Sequence, residues 1–205
     1  MPPSKGRETG EMKHLSDQEL MRIVHAGDFS PASEIYDRYS GRIYNFALRF
    51  LKNAEAAEDA TQEVFVKMMR HANQFQGDAK LSTWLFSITA NWCRDYLRKA
   101  DNKAKETEDV LVQLPAPSDQ SPDRTLEQRE NEALIKRALQ ALTPEQREAI
   151  LLSRYQGLSY AEIAQISGCS EGAVKTRVFR AMETLKKALV GDQRGGNKQC
   201  LNALP

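Results

Sequence analysis

The sequence LTPEQREAILLSRYQGLSYAEIAQISGCSEGAVKTRVFRAMETL, from Leu142 to Leu185, carries the start and stop signals of three successive helices. Thr143 can cap a helix whose first turn contains Pro144, which is tolerated there because its missing N–H needs no partner. Gly157 is expected to end that helix. Ser159 is expected to cap a short second helix. The stretch is therefore predicted to be helical throughout.

A tight turn is predicted between the second and third of these helices. Gly168 allows the turn, and Ser170 caps a long helix that is expected to end near Leu189. Ile163 and Val174 are placed to pack the two helices against each other. This spacing is the signature of a helix-turn-helix.

The face of the third helix that its apolar positions leave free is polar and basic. In a helix-turn-helix, the helix after the turn enters the major groove of DNA, where Arg and Lys bind guanine edges or phosphates. Here that helix is the third of the three. The alternative is a solvated face on an ordinary helical hairpin, but the turn spacing and the basic charge favour DNA binding. The residues concerned are the cap Ser170 together with Lys175, Thr176, Arg177, Phe179 and Arg180.

The N-terminal half is predicted to contain three amphipathic helices, because apolar residues recur there at intervals of three and four. Three such helices can bury a common core. The predicted core stripes are Ile35, Tyr39, Ile43, Phe46 and Phe50; then Ala57, Ala60, Val64 and Met68; then Leu85, Ile88, Trp92 and Tyr96.

The sequence AEDATQEVFVKMMR forms the second of these helices and has an acidic outer face. Asp59, Gln62 and Glu63 point outward, together with Phe65 or Val66 as an exposed apolar residue. An apolar anchor with a polar rim suits a basic partner helix. The alternative is a solvated helix start favoured by the helix dipole, and the spacing alone favours that alternative.

The stretch FQGDAKLSTWLFSITANWCRDYLRK combines aromatic residues with a basic end. Trp84, Asn91 and Arg98 lie in line on one face, Arg94 flanks it, and the loop before the helix could place Phe75 beside an extruded base. Rings stack on bases and amides read their edges, so this face suits single-stranded nucleic acid. The alternative is that Trp84 and Phe86 fill a second core layer against a neighbouring helix, and the spacing leaves the two interpretations about even.

Composition indicates a globular chain without a catalytic signature. The hydrophobic share is 40%, the charged share is 28% and the mean hydropathy is −0.59. No apolar run has the length of a membrane span or of a signal peptide, so we expect a cytoplasmic protein without membrane insertion. Three dispersed cysteines give no disulfide framework, and no metal-ligand spacing, phosphate-binding glycine loop or nucleophile elbow is present. We expect no catalytic residue, no metal and no cofactor.

Charge and composition divide the chain into segments although its net charge is only +1. The segment ETEDVLVQLPAPSDQSPD is acidic, contains three prolines and lacks helical periodicity, which is typical of a linker. The predicted organisation is a disordered N-terminus (1–12), a helical domain (13–101), an acidic linker (102–125), a helix-turn-helix domain (126–190) and a disordered tail (191–205).

Two stretches resemble one protein family. AEDATQEVFVKMMRHANQFQGDAKLSTWLFSITANWCRDYLRK closely resembles region 2 of the extracytoplasmic-function (ECF) sigma factors of the sigma-70 family, and the helix-turn-helix stretch resembles their region 4. Both occur in the family's order, separated by the linker. The resemblance covers about residues 28–190. It implies an all-α fold of two small helical domains joined by a flexible linker.

The resemblance also implies roles for individual residues. The acidic face of AEDATQEVFVKMMR matches the family's surface that docks on the clamp helices of the largest subunit of core RNA polymerase. The resemblance therefore favours polymerase docking over a solvated helix start. The implied polymerase-binding residues are Asp59, Gln62, Glu63 and Phe65; those for the melted minus-10 strand are Phe75, Lys80, Trp84, Asn91, Arg94 and Arg98; those for the duplex minus-35 element are Ser170, Lys175, Thr176, Arg177, Phe179 and Arg180.

We therefore expect an ECF sigma factor that binds core RNA polymerase, recognises both promoter elements and promotes promoter opening. The resemblance further implies control by an anti-sigma factor, in a stress or envelope response. One alternative is a helix-turn-helix regulator that binds duplex DNA without polymerase, which would not need the acidic helix or the Phe75 loop. Another is a helical adaptor that binds a protein through the acidic helix, which would leave the Lys175–Arg180 face unused.

Overall fold

The computed structural model describes residues 12–106 and 138–191. The regular secondary structure of these residues is helical, which confirms the all-α class. The helices are α1 (Asp17–His25), α2 (Ala32–Leu51), α3 (Ala54–Arg70), α4 (Leu81–Glu106), α5 (Pro144–Ile150), α6 (Tyr160–Ser167) and α7 (Glu171–Gly191); a 3-10 turn (Ala72–Gln74) follows α3, and α5 continues as a π-helical segment (Leu151–Tyr155).

The helix starts follow from local hydrogen bonds. Thr143 and Ser159 each form the predicted cap, and each is completed by the residue three positions on, Gln146 or Glu162, which bonds back to the cap's N–H. The Oγ of Ser170 accepts a hydrogen bond from the N–H of Ala173 at 3.2 Å. These contacts confirm the predicted starts of α5, α6 and α7.

Two glycines end helices in the second half of the chain. Gly157 follows the π-helical segment with φ of +67°, and Gly168 ends α6 with φ of +61°. Both angles lie in the left-handed region, which glycine adopts without the steric cost that a Cβ atom brings. The turn between α6 and α7 therefore has the geometry that the sequence predicts.

Helices α2, α3 and α4 surround the core of the first half. The first two predicted core stripes are buried, and the ring of Phe46 packs on Phe50 and edge-on against Phe86, with ring centroids 5.8 and 5.7 Å apart. Helix α1 is held on α2 by Arg38, whose guanidinium pairs with Asp17 at 3.1 Å and Glu34 at 2.7 Å.

The third predicted core stripe, on α4, does not coincide with the side of the helix that is buried. Leu85 is buried, but Ile88, Trp92 and Tyr96 are only half-buried. The fully buried positions of α4 lie on a broader surface that includes Leu81, Phe86, Thr89, Ala90 and Cys93. The reason is that α4 is covered on more than one side, by α2 and α3 and also by α6 from the second half of the chain.

The second half packs directly on the first. Ile163 and Val174 are buried between α6 and α7 as predicted, and the buried apolar residues of both halves join in one core. Arg147, itself buried, donates hydrogen bonds to the carbonyl oxygens of Leu139, Leu142 and Phe50. This guanidinium ties the start of α5 to the end of α2.

The predicted segment boundaries fall partly outside the described residues. Helix α4 extends through Glu106 and so includes the first residues of the predicted linker 102–125. Met12, in the N-terminal segment, is buried. The remainder of that linker and the segments 1–11 and 192–205 lie outside the described residues, so the domain boundaries stay a prediction.

Candidate functional site

The exposed face of α7 gathers most of the predicted duplex-DNA residues. Lys175, Thr176 and Arg180 are exposed, and the ring of Phe179 is 63% exposed, which is unusual for so large an apolar side chain. The Thr176 hydroxyl donates to the carbonyl oxygen of Gly172 at 2.9 Å. Two cations, a hydroxyl and a ring therefore lie on one side of the helix, as the sequence predicts.

Arg177 does not share that face. Its side chain is half-buried, and its Nη1 donates to the Sγ of Cys169 at 3.4 Å. Because Val174 and Val178 face the core, residue 177 lies between the core and the solvent and turns toward the preceding loop. Arg177 therefore lies at the edge of the face on which the sequence places it, and its role in DNA binding stays a prediction.

The acidic face of α3 is present at the surface. Asp59 and Gln62 are exposed, and Glu63 is partly exposed with its carboxylate 3.7 Å from the Nζ of Lys67. The contact between Glu63 and Lys67 joins adjacent turns of one exposed helix and is therefore weak. The three polar residues remain available to an outside partner.

Phe65 is not the exposed apolar anchor of this face. It is 6% exposed and packs between α2 and α3, where its ring lies 4.8 Å from that of Tyr36. The exposed apolar residues in this area are Tyr36, at 47%, and Met69, at 39%. Tyr36 lies beside the apolar stripe of α2 and not within it. An aromatic residue at such a position is the sequence signal that could have identified the exposed anchor.

Phe75 is not an exposed loop residue either. It is 5% exposed, and its ring packs against that of Trp84 with centroids 5.5 Å apart. Trp84 is half-buried and contacts the core. The two rings form a tilted pair, the Phe75–Trp84 pair, in which the indole is the more exposed ring.

The polar residues of α4 are exposed farther along the helix. Asn91 lies at the surface, where its Oδ1 accepts a hydrogen bond from the Nη2 of Arg94. Arg98 is also exposed, and its Nη2 lies 2.9 Å from the Oδ1 of Asp95. The structure therefore places Asn91 and Arg98 on the solvent side, as predicted.

Lys80 and Arg94, predicted to bind the melted strand, are engaged by acids of the second half. The Nζ of Lys80 lies 3.2 Å from the Oε1 of Glu162 on α6. The Nη1 of Arg94 donates to both carboxylate oxygens of Glu148 at 2.7 and 2.9 Å, and its Nη2 donates to the carbonyl oxygen of Ile166 at 3.2 Å. Neither cation is free in this conformation.

The two acids differ in their surroundings. Glu148 is only 4% exposed and also accepts a hydrogen bond from the Ser167 hydroxyl at 2.6 Å. Partial burial of Glu162 would raise its pKa, but hydrogen bonds from Ser159, Lys80 and Thr83 outweigh this and lower the pKa to about 2. Both acids therefore face cations of α4.

Matches to known families agree with this arrangement. The family model described as Sigma-70 region 2 matches residues 35–103, and that described as Sigma-70, region 4 matches residues 132–185. The RNA polymerase sigma-H factor of Pseudomonas aeruginosa is 32% identical over 180 residues, which cover 84% of this chain and 93% of the relative. The ECF RNA polymerase sigma-E factor of Escherichia coli K12 is 30% identical over 180 residues, covering 84% and 94%. The chain belongs to the ECF RNA polymerase sigma factors.

Two solved structures have a similar fold. The sigma factor RpoE from Bartonella quintana, in a co-crystal with the anti-sigma factor NepR, is 27% identical with a TM-score of 0.63, over 86% of this chain and 97% of that one. CnrH, in complex with the cytosolic domain of CnrY, is 24% identical with a TM-score of 0.66, covering 86% of this chain and 99% of that one. This likeness concerns the fold alone.

Membership of the family gives the molecule its function. ECF sigma factors are initiation factors that bind core RNA polymerase and recognise the minus-35 and minus-10 promoter elements. Helices α3 and α4 belong to region 2, and α5 to α7 belong to region 4. A helix-turn-helix regulator that acts without polymerase is not favoured, because it would have no need of region 2.

Two further features concern ions and membranes. Within residues 12–106 and 138–191, no group of three or more His, Cys, Asp and Glu side chains is arranged to hold a metal ion. None of the helices in the described part of the chain is both long and apolar enough to cross a membrane.

Proposed function

We propose that this ECF sigma factor reads the duplex minus-35 element with α7. The observation that carries the proposal is the row of Lys175, Thr176, Phe179 and Arg180 on the exposed face of the second helix of a helix-turn-helix. The cations can bind phosphates or guanine edges, and the Phe179 ring can contact a thymine methyl group. Ser170, which caps α7, lies at the end of the helix that enters the groove.

The proposed polymerase-docking surface is the outer face of α3. Asp59, Gln62 and Glu63 supply a polar, acidic rim, and one exposed ring and one thioether beside them supply an apolar centre. Tyr36 and Met69 take the role that the sequence analysis gave to Phe65. Such a surface suits a basic helical partner, in agreement with docking on the clamp helices of the largest polymerase subunit.

The proposed site for the melted minus-10 strand is the outer side of α4. Asn91 offers an amide for a base edge, and the Phe75–Trp84 pair offers an indole on which a base can stack. Stacking on an aromatic side chain contributes about 1–3 kcal/mol per base, which offsets a comparable cost of unstacking. Phe75 then acts by positioning Trp84, and Lys80, Arg94 and Arg98 contribute positive charge.

Regulation and location follow from the same family. We propose that an anti-sigma factor holds this chain inactive, as the similar sigma factor RpoE was co-crystallised with the anti-sigma factor NepR. We also propose that it acts in the cytoplasm, where polymerase and promoter DNA meet. It contributes no catalytic residue, because the nucleotidyl transfer belongs to the polymerase.

The central experiment is transcription in vitro with purified core RNA polymerase and this chain, followed by mapping of the transcript start sites. Promoter-specific transcripts that require the chain are expected. Their absence under all conditions would contradict the proposed function, whatever the chain's affinity for duplex DNA.

The strand site is tested by Asn91→Ala in the same assay. Promoter opening, measured by permanganate reactivity of unpaired thymines, is expected to fall at least tenfold, while binding to duplex minus-35 DNA stays within twofold. Asn45→Ala is the matched control, since Asn45 is an exposed asparagine on α2. Equal losses of opening and of duplex binding would show that Asn91 supports the fold rather than the strand.

A further inference from the structure

His25, the last residue of α1, makes a contact that the proposed sites do not yet use. Its Nε2 lies 2.5 Å from the carbonyl oxygen of Ala72, which is 47 positions later in the chain and begins the 3-10 turn after α3. A carbonyl oxygen only accepts hydrogen bonds, so Nε2 must carry the hydrogen. The neutral Nε2–H tautomer and the imidazolium both supply that donor. The contact can therefore form in either charge state of the ring.

The oxygen that His25 binds is also the acceptor for Phe75. The backbone N–H of Phe75 donates to the carbonyl oxygen of Ala72 at 3.0 Å. A carbonyl oxygen has two lone pairs and can accept both hydrogen bonds. A side chain of α1 therefore holds the same atom to which the backbone of Phe75 is bonded.

Two other backbone hydrogen bonds of this turn join near neighbours. The N–H of His71 donates to the carbonyl oxygen of Lys67 at 2.9 Å, and the N–H of Gln74 donates to that of His71 at 2.9 Å. Such local bonds shape a turn but do not fix its place relative to another helix. The turn packs against α1, and Ala72 is buried there. The bond from His25 adds direction to this packing and fixes where the turn lies.

The position of the turn reaches the indole of Trp84 through the ring of Phe75. That ring is buried, and its centroid lies 5.5 Å from that of the indole, with an angle of 43° between the planes. Protein interiors are close-packed, so a buried ring has little room to move independently of its backbone. A shift of the turn would therefore also shift the surface on which we propose that a base stacks.

We propose that His25 is a positioning residue for the melted-strand site. Its Nε2–H holds the Ala72 carbonyl oxygen and, through Phe75, keeps Trp84 in the orientation that accepts an unstacked base; His25 itself contacts no DNA in this role. Helix α1 lies ahead of residues 35–103, which match the region 2 model, and so adds a contribution to promoter opening from outside that match. The inference rests on the proposed function in one respect, the assignment of Trp84 to the minus-10 strand.

Two substitutions of His25 separate the hydrogen bond from the mere presence of a polar side chain. The amide nitrogen of glutamine lies as far along the side chain as Nε2 of histidine, so His25→Gln can still donate to Ala72. The amide nitrogen of asparagine lies only as far as Nδ1, so His25→Asn cannot reach that oxygen. His14→Asn is the matched control, because His14 is an exposed histidine ahead of α1. Circular dichroism and thermal unfolding establish that each variant is folded at the temperature of the assays.

The first readout is the environment of the indole in the free chain. Incorporation of 5-fluorotryptophan gives a fluorine NMR resonance for Trp84 and one for Trp92, the two tryptophans of the sequence, and Trp92→Phe assigns them. The Trp84 resonance is expected to shift or broaden in His25→Asn and to keep its wild-type position in His25→Gln and His14→Asn. The Trp92 resonance is expected to stay unchanged throughout. An unmoved Trp84 resonance in His25→Asn would overturn the proposal, and so would equal changes of both resonances, because these would indicate a general loosening of the fold.

The second readout is promoter opening by the complex with core RNA polymerase, at the promoter that the transcription experiment maps. Permanganate reactivity is expected to fall about three- to tenfold in His25→Asn, the range that corresponds to loss of one neutral hydrogen bond. His25→Gln is expected to restore opening to within twofold of the wild type, and duplex minus-35 binding is expected to stay within twofold in every variant. An equal loss of opening in His25→Gln and His25→Asn would overturn the proposal, because the hydrogen bond to Ala72 would then not be the cause.

The activity of the wild-type chain separates this inference from the proposed function. A wild-type chain that opens the promoter, while folded His25→Asn opens it equally well, overturns the role of His25 alone. A wild-type chain that supports no promoter-specific transcription overturns the proposed function, whatever the fluorine spectra show.

Discussion

The Nη1 of Arg147 donates a hydrogen bond of 3.0 Å to the carbonyl oxygen of Phe50, a residue 97 positions earlier in the chain. The same guanidinium bonds the carbonyl oxygens of Leu139 at 3.1 Å and Leu142 at 3.2 Å. One buried side chain thus satisfies backbone acceptors at the end of α2 and in the residues before α5. The planar fork of arginine suits this role, because its five N–H groups point in fixed and different directions.

Arg147→Lys is therefore expected to lower the free energy of unfolding by about 2–4 kcal/mol. A lysine ammonium cannot reach three separated carbonyl groups, and each buried acceptor left without a donor costs about 1–3 kcal/mol. Urea denaturation followed by circular dichroism measures the loss. Arg154→Lys, at an exposed position, is the control and is expected to change stability by less than about 0.5 kcal/mol. Similar stabilities for the two variants would refute the structural role of Arg147.

Phe75→Ala is expected to act first on stability, because the Phe75 ring is buried against Trp84. Removal of a buried phenylalanine side chain typically costs about 3–5 kcal/mol, and part of the cost is the cavity that remains. Thermal unfolding measures the loss. Phe29→Ala, at a phenylalanine that is 49% exposed, is the matched control and is expected to have little effect. A promoter-opening defect of Phe75→Ala without any loss of stability would restore the exposed-loop interpretation.

The helix-turn-helix and the exposed face of α7 show which features can be predicted from the sequence. The helix-turn-helix was predictable because its signals are local: Ser159 and Glu162 are three residues apart, and the left-handed turn at Gly168 needs only that residue. The exposed face of α7 was predictable for the same reason. Helical periodicity places a side chain when a single side of the helix is covered.

The errors arise where distant parts of the chain meet. The phase of the α4 stripe and the pairing of Arg94 both depend on α6 and on Glu148, which is 54 residues away in sequence from Arg94. Periodicity within one helix carries no information about a second element that covers another of its sides. The prediction for Phe65 fails for a related reason, because the packing of α3 on α2 buries Phe65 beside Tyr36, which stays exposed.

Docking on polymerase is tested by the double substitution Gln62→Ala with Glu63→Arg. It reverses charge on the acidic face and removes an amide, and the lost contact with Lys67 has little effect on the fold because it is exposed. Co-purification with core RNA polymerase is expected to fall at least tenfold, with unchanged helical content. Asp101→Arg reverses a charge at an exposed position of α4 and is expected to bind normally. Normal binding of the double variant would refute the docking surface.

Binding of the minus-35 element is tested by Arg180→Ala. Loss of one charged contact is expected to weaken binding of duplex promoter DNA by about 1–3 kcal/mol if the guanidinium binds a base. If it binds a phosphate, the slope of log affinity against log salt decreases by about 1 and the sequence preference stays the same. Fluorescence anisotropy at several salt concentrations separates these two roles. Lys186→Ala removes an exposed cation farther along α7 and is the control; an equal effect of both substitutions would indicate only a general dependence on charge.

The ionic contacts of Glu162 predict a specific dependence of stability on pH. Its pKa is about 2 in the folded chain, where Ser159, Lys80 and Thr83 outweigh the effect of partial burial, against an ordinary value of 4.5. A folded-state pKa below the unfolded value gives a stabilisation that is complete above about pH 4.5 and is lost as the pH falls toward 2. The stability difference between wild type and Glu162→Gln is therefore expected to be constant from pH 5 to pH 7 and to shrink below pH 4.5, in urea denaturation at each pH. Glu19→Gln is the control for the capping box alone: hydrogen bonds with Ser16 also lower the pKa of Glu19, but in the described parts of the chain Glu19 has no ion pair with region 4. A difference that stays constant down to pH 3 would mean that the folded chain does not favour the carboxylate form of Glu162, and that the hydrogen bonds from Ser159, Lys80 and Thr83 do not hold it in solution.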